Sequence, residues 1–341
     1  MLFSADNNLL VYPEGRLAKR PFRLASTEDT PRYIYGTPQF DATGSNMQMA
    51  GRGLPTASLA TAGQAPSLFT LVPIEGGYKV KHLNSARFWG SATTVEMPTD
   101  PTQWHGVYNY TMSVADNKVN ISLVCGGKYA TAGDAVTLSS TASAWTLEEV
   151  NDIEVSVGEA LWTALCLPVA VAVPDEAICT MYKATNATTG LLTLTALTPG
   201  TVIPAGEGVL LEAPAAGTVS LAVHSDDEAT SLADNILSGA TAQRSGLNTK
   251  TFYGLGNMSQ GVGFYLSSGT IVPANKAYLL ASALSGQPTE RLAFGGDATS
   301  IGQTTLEETT TRRLYDLNGR RVTQPGRGIY VDDKGQKYFI P

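Results

Sequence analysis

Apolar and polar residues alternate along this chain in short runs: "NLLVY", "RYIYG", "YKVKHL", "KVNISLV", "GLLTLTAL", "GVLLEA", "TVSLAVH", "AYLLAS" and "RGIYVDD". A period of two places successive side chains on opposite faces of a strand. The Val, Ile, Leu, Thr and Tyr in these runs suit a half-buried pleated surface. Glycine and proline, with 34 and 18 copies, punctuate the runs as turn formers. Helical spacing is nearly absent. Only 226–237, which begins with acidic residues, reads as weakly helical. The pattern predicts an all-β chain.

The first 150 residues repeat a short motif, an aromatic followed by any residue and then Leu or Met. It occurs at Phe22-Arg23-Leu24, Phe69-Thr70-Leu71, Tyr110-Thr111-Met112 and Trp145-Thr146-Leu147, in steps of 69−22 = 47, 110−69 = 41 and 145−110 = 35. An alternating strand follows each of the first three, at 33–35, 78–82 and 118–122. Three units of roughly 40 residues, each giving about four short strands, predict a threefold β-trefoil over 1–151. The recurring aromatic is expected as a core plug, each one contributing a few kcal/mol by burial. The region resembles the ricin-type β-trefoil lectins, whose repeats end in Gln-x-Trp. The equivalents are Ser67-Leu68-Phe69, Tyr108-Asn109-Tyr110 and Ser143-Ala144-Trp145. The aromatic is kept in all three and the Gln in none. The resemblance implies the trefoil fold and, through it, carbohydrate binding.

Residues 152–297 carry a different echo. "VIPAGEGVLL" (202–211) and "IVPANKAYLL" (271–280) align at an offset of 273−204 = 69. In each, a proline closes a turn and Leu-Leu begins a strand. The segment 162–184 reads as two strands around a Pro174-Asp175 turn. A β-sandwich, jelly-roll-like module is expected. The order of "LCLPVAV", "IPAGEGVLL" and "GFYLSSGTIVPANKAYL" resembles a β module of secreted and surface proteins of Bacteroidetes, which carries no assigned chemistry.

Residues 298–311, rich in Thr, Ser and Glu without apolar periodicity, read as a linker. In the closing unit, 312–341, Asn318-Gly319 joins two short strands, because a type I′ turn needs residues tolerant of positive φ. A second pair, 328–332 and 337–340, follows through Lys334-Gly335. Tyr315, Asp316, Gly319, Arg320 and Val322, then Gly328, Ile329 and Tyr330, then Lys334 and Lys337, resemble the C-terminal sorting domain of type IX-secreted Bacteroidetes proteins. That resemblance implies export to the medium or cell surface, with the secretion and surface-attachment machinery as partner.

Composition narrows the function classes. Charged residues make up 16% and the net charge is −7. Phosphate binding needs clustered Lys and Arg, so nucleic acid is not expected as a partner. The opening "MLFSADNNLL" has neither a basic start nor an apolar segment, so no signal peptide is expected within this chain. The apolar run 160–173 is short of the roughly 20 residues a membrane helix needs. The three cysteines are Cys125, Cys166 and Cys179. Cys166 and Cys179 read as small buried apolar residues, with a disulfide between them as the alternative.

No catalytic constellation stands out. His82, His105 and His224 have no metal-ligand spacing, and His82 reads as a structural strand-end residue. Neither a nucleophile elbow nor a phosphate loop occurs. Asp226-Asp227-Glu228 offers oxygen donors for calcium, but reads more plainly as a solvated turn or helix start. No cofactor is expected. The candidate contacts are for sugars: Trp89, Trp104, His105 and Tyr108 as rings for stacking, with Asn84 and Gln103 (and Asn109) to hold hydroxyls. Core or rim packing is the alternative for Trp89 and Trp104. The expectation is a secreted or surface non-catalytic protein that binds a glycan or glycoprotein through its trefoil. The alternative is a structural segment of a larger exported protease or glycosidase.

Overall fold

The structure is a computed structural model. It describes residues 20–36, 39–42, 47–48, 58–60, 67–74, 77–89, 95–96, 109–115, 118–125, 128–133, 136–296, 314–315, 321–322, 328–332 and 337–340, with backbone alone in several strands. Among the described residues the chain is nearly all-β, arranged in several sheets. Its helical pieces there are single 3-10 turns, at Asp226–Glu228 and Ala281–Ala283.

The strands before residue 150 are β1 (Phe22–Ser26), β2 (Tyr33–Tyr35), β3 (Gln39–Phe40), β4 (Met47–Gln48), β5 (Ser58–Ala60), β6 (Phe69–Ile74) and β7 (Gly77–His82). They continue as β8 (Arg87–Trp89), β9 (Val95–Glu96), β10 (Asn109–Ala115), β11 (Lys118–Cys125), β12 (Lys128–Ala132), β13 (Val136–Ser139) and β14 (Trp145–Glu149). Six of them run in a circuit. β1 pairs antiparallel with β14 and with β6, β6 with β7, β10 with β11, and β11 with β14. β7 lies against β10 and closes the circuit. Three short pairs stand off it: β2 with β5, β8 with β9 and β12 with β13. Each unit of the sequence repeat contributes one of them.

The repeat aromatics lie inside. Phe22 sits directly across from Phe69, and both are buried. Trp145 is fully buried, and its indole N–H donates to Ala130 O at 2.9 Å. Leu24, Leu71 and Val80 on the same circuit are buried as well. Tyr110 falls in β10 across from Leu123; its side chain lies outside the described residues.

The second region begins with β15 (Asp152–Val157), β16 (Trp162–Leu165), β17 (Ala170–Ala172), β18 (Thr180–Thr188), β19 (Leu191–Ala196), β20 (Val202–Ile203), β21 (Val209–Glu212) and β22 (Gly217–His224). It ends with β23 (Ser238–Ala240), β24 (Gln243–Ser245), β25 (Phe252–Met258), β26 (Gly261–Leu266), β27 (Ile271–Val272), β28 (Lys276–Leu280) and β29 (Arg291–Gly296). A four-stranded sheet, β15-β22-β17-β20, accompanies a nine-stranded one, β16-β21-β18-β19-β29-β26-β25-β28-β23. Val209 and Leu211 of β21 join one core with Val155, Val171, Val219 and Leu221 of the smaller sheet. Leu210 joins a second core with Tyr182, Tyr253, Phe264 and Leu292. Both faces of this strand are therefore buried, which is why "GVLL" reads as a continuous apolar run rather than an alternating one. The larger sheet curls, bringing β16 against β25 and β28.

The expected two strands over 162–184 are three, and they lie in two sheets. After Leu165 the chain leaves the large sheet and enters the small one at Ala170. Pro168 lies in this crossing and has no N–H to give a ladder. The two aligned proline turns clasp the crossing. Gly206 N–H donates to Leu167 O at 2.8 Å, and Cys166 N–H donates to Asn275 O at 3.2 Å. Gly206 and Asn275 occupy the same position of the echo, both with positive φ, +86° and +59°. Glycine and asparagine adopt that conformation most readily.

The weakly helical 226–237 forms only the 3-10 turn Asp226–Glu228, with Ser225 Oγ accepting from Asp227 N. Leu232 instead packs into the core with the small sheet. Tertiary burial thus overrides a helix signal that local propensity supports only weakly.

The two regions are joined. β3 runs parallel to β24, pairing Gln39 with Gln243 and Phe40 with Arg244. Leu68 of the first region belongs to the core of the small sheet, and Leu83 packs against it. The tail makes its own sheet from β30 (Leu314–Tyr315), β31 (Arg321–Val322), β32 (Gly328–Asp332) and β33 (Lys337–Ile340), in the order β31-β30-β32-β33. Leu314 pairs with Val322 across the Asn318-Gly319 segment, at the strand positions its sequence predicts.

Candidate functional site

β7 ends in a turn that decides where Asn84 points. His82 is buried, with Nδ1 2.9 Å from Ser85 Oγ and its ring 5.2 Å from that of Phe69. Ala86 closes the turn at φ +54°, donating to Leu83 O at 3.2 Å. Asn84 is 2% exposed and turns toward the second region. Its Nδ2 donates to Thr241 O at 2.8 Å and to Asn275 Oδ1 at 2.9 Å, and its own carbonyl accepts from Thr241 Oγ1 at 2.9 Å. The amide therefore clamps the junction between the two regions.

The other candidate sugar contacts are not brought together with it. Trp89 ends β8, paired with Val95, and its side chain is not among those described. Gln103, Trp104, His105 and Tyr108 lie outside the described residues. Of the tail motif, Tyr315 is in β30 and Gly328, Ile329 and Tyr330 are in β32. Asp316, Gly319 and Arg320 lie outside the described residues.

A cleft of about 250 Å³ opens at the junction. Thr70, Lys81 and Leu83 line it from the first region, and Pro168, His224 and Asp227 from the second. Both charge signs converge there, but much of this polarity is already engaged. Asp226 Oδ1, at the same cleft, accepts from Ala205 N at 3.2 Å, and His224 Nδ1 lies 2.9 Å from Glu228 Oε2. Nearby, Arg20 Nη1 reaches Glu149 Oε1 at 3.2 Å and Asn151 Oδ1 at 3.3 Å. The cleft can hold a small polar solute. Sequence reasoning missed Lys81 and Thr70, because their shared cleft depends on docking with a segment some 140 residues away.

Cys166 and Cys179 are both free thiols and both buried, so they are not joined to each other. Burial pushes the Cys166 thiol up to about 12 and the Cys179 thiol up to about 11. Neither supplies a thiolate near neutrality. Cys166 Sγ donates to Gly206 O at 3.3 Å. Among the described residues no group of three or more His, Cys, Asp or Glu side chains is placed to hold a metal. No helix among them is long and apolar enough to cross a membrane. No family model and no curated protein matches the chain.

Proposed function

We propose that residues 1–151 form a β-trefoil and that the chain is a secreted or cell-surface, non-catalytic carbohydrate-binding protein. The observation that carries this reading is the six-strand circuit with one off-circuit pair in each repeat unit. A threefold barrel capped by three hairpins has that connectivity. Buried Phe22, Phe69 and Trp145, three of the four aromatics of the repeat, support it as interior plugs. The four-stranded sheet sharing a core with the nine-stranded one supports a sandwich-like second module, its larger sheet curled over a second core. The sorting-like tail supports export by a type IX route in Bacteroidetes. Sugar contact is assigned, from their residue types, to Trp104, His105, Tyr108, Gln103 and Trp89. Asn84 is held at the junction by Thr241 and Asn275.

The test is a glycan array on the full chain beside a Trp104→Ala variant. Binding by the parent and its loss in the variant, with the unfolding midpoint unchanged, is the expected result. A parent that binds no glycan refutes the lectin reading. A second reading, a structural segment of a larger exported enzyme, is favoured by the junction itself. A parallel strand pair, a shared apolar core and the Asn84 clamp suit a rigid spacer. Glycan silence together with cooperative unfolding of both regions is the outcome that reading requires.

A further inference from the structure

A second cavity, about 290 Å³, opens where the curled nine-stranded sheet meets itself. β16 is an edge strand there, and no ladder joins it to β25 or β28. Trp162 and Thr163 line one side, and Phe252, Gly254, Lys276 and Tyr278 line the other. Because neighbouring residues of β16 both reach the cavity, it is a slot between strand edges rather than a dent in one face. Its walls are fixed. The Phe252 and Tyr278 rings meet edge to face at 6.1 Å, and Trp162 stacks on Tyr182 at 5.4 Å.

Gly254 is the telling residue. It lies inside a strand, where glycine weakens the ladder and commonly marks a place that a ligand approaches closely. Its backbone does not lie in the left-handed region, and a Cβ there would meet nothing within 4 Å. Neither conformation nor crowding demands glycine, and Gly254 itself lines the slot. Among the described residues Lys276 is the one charged residue of the lining. Behind the Tyr278 wall lies a second cation: Arg244 Nη1 donates to Tyr278 Oη at 2.8 Å. Glu212, across from Trp162 in β21, accepts from the Tyr182 hydroxyl at 2.8 Å. The volume lies at the lower end of the range for small-ligand pockets and exceeds the roughly 150 Å³ that holds benzene in an apolar cavity.

We propose that this seam slot binds an amphipathic monoanion, with its apolar body over Gly254 between the aromatic walls and its carboxylate at Lys276. The test titrates octanoate, and 1-octanol as the neutral comparator, into the full chain by calorimetry. Octanoate should bind at least about tenfold more tightly than octanol, the factor worth one well-placed charge contact. Lys276→Gln, at an exposed position, should bring the two ligands to equal affinity. Gly254→Leu should abolish binding of both while the protein stays folded by its unfolding midpoint. Three results each overturn the proposal: no octanoate binding to the parent, octanol binding as well as octanoate, or octanoate preference surviving in Lys276→Gln.

Discussion

Replacing Asn84 with alanine tests the junction directly. The side chain donates two hydrogen bonds, to Thr241 O at 2.8 Å and Asn275 Oδ1 at 2.9 Å, from a position 2% exposed. Each bond contributes about 1 kcal/mol net, and an acceptor left buried without a donor costs about 1–3 kcal/mol more. Alanine also removes Asn84 Oδ1, a buried acceptor with no hydrogen-bond partner, which returns about 1 kcal/mol. The balance is a loss of about 2–4 kcal/mol. Asn84→Asp should cost more than alanine, because it sets carboxylate oxygens against two acceptors. Urea unfolding followed by tryptophan fluorescence measures both variants. If alanine costs less than about 0.5 kcal/mol and Asp costs no more than Ala, the clamp is refuted. If instead glycan affinity falls while stability holds, Asn84 faces sugar.

Three further predictions follow from packing and burial. Gly239→Ala should destabilise by about 1–3 kcal/mol or more, since its Cβ would strike Gly206 O and Cys166 Sγ. Gly254→Ala, in open space, should be neutral or stabilise by up to about 1 kcal/mol; thermal unfolding of the pair compares them, and equal effects would contradict the packing. Cys166 ionises at about 12 when folded against 9.0 for the free thiol, so the unfolded chain loses its proton first. The stability from that neutral thiol is complete below pH 9 and is lost as pH rises toward 12. Cys166→Ser keeps a donor for Gly206 O and removes the titration, so its loss of stability between pH 8 and pH 10 should be smaller than the parent's, by about 1 kcal/mol. Urea midpoints at the two pH values check this, and parallel pH dependence would refute it. Trp145→Phe should cost about 1–3 kcal/mol by leaving Ala130 O without its indole donor, and Trp145→Ala about 3–5 kcal/mol. Equilibrium unfolding that finds the two variants equal would place Trp145 outside the core.

The sequence by itself determined the strand content, the spacing of the buried Phe22, Phe69 and Trp145, and the tail hairpins. These signals are local: a period of two, a turn residue of the right φ, an aromatic every few strands. The echo of Gly206 and Asn275 was also visible in the residues, though its meaning was not. Tertiary structure alone decided that both turns clasp Cys166 and Leu167, that β16 and β17 part into different sheets, and that Asn84 faces inward. It also decided that Lys81 shares a cleft with Asp227, and that Gly254 opens onto a slot. Each of these depends on which strand edge meets which across some 30 to 190 residues. That choice is made by burying whole faces together, a sum over many side chains, and no short stretch of the chain carries it.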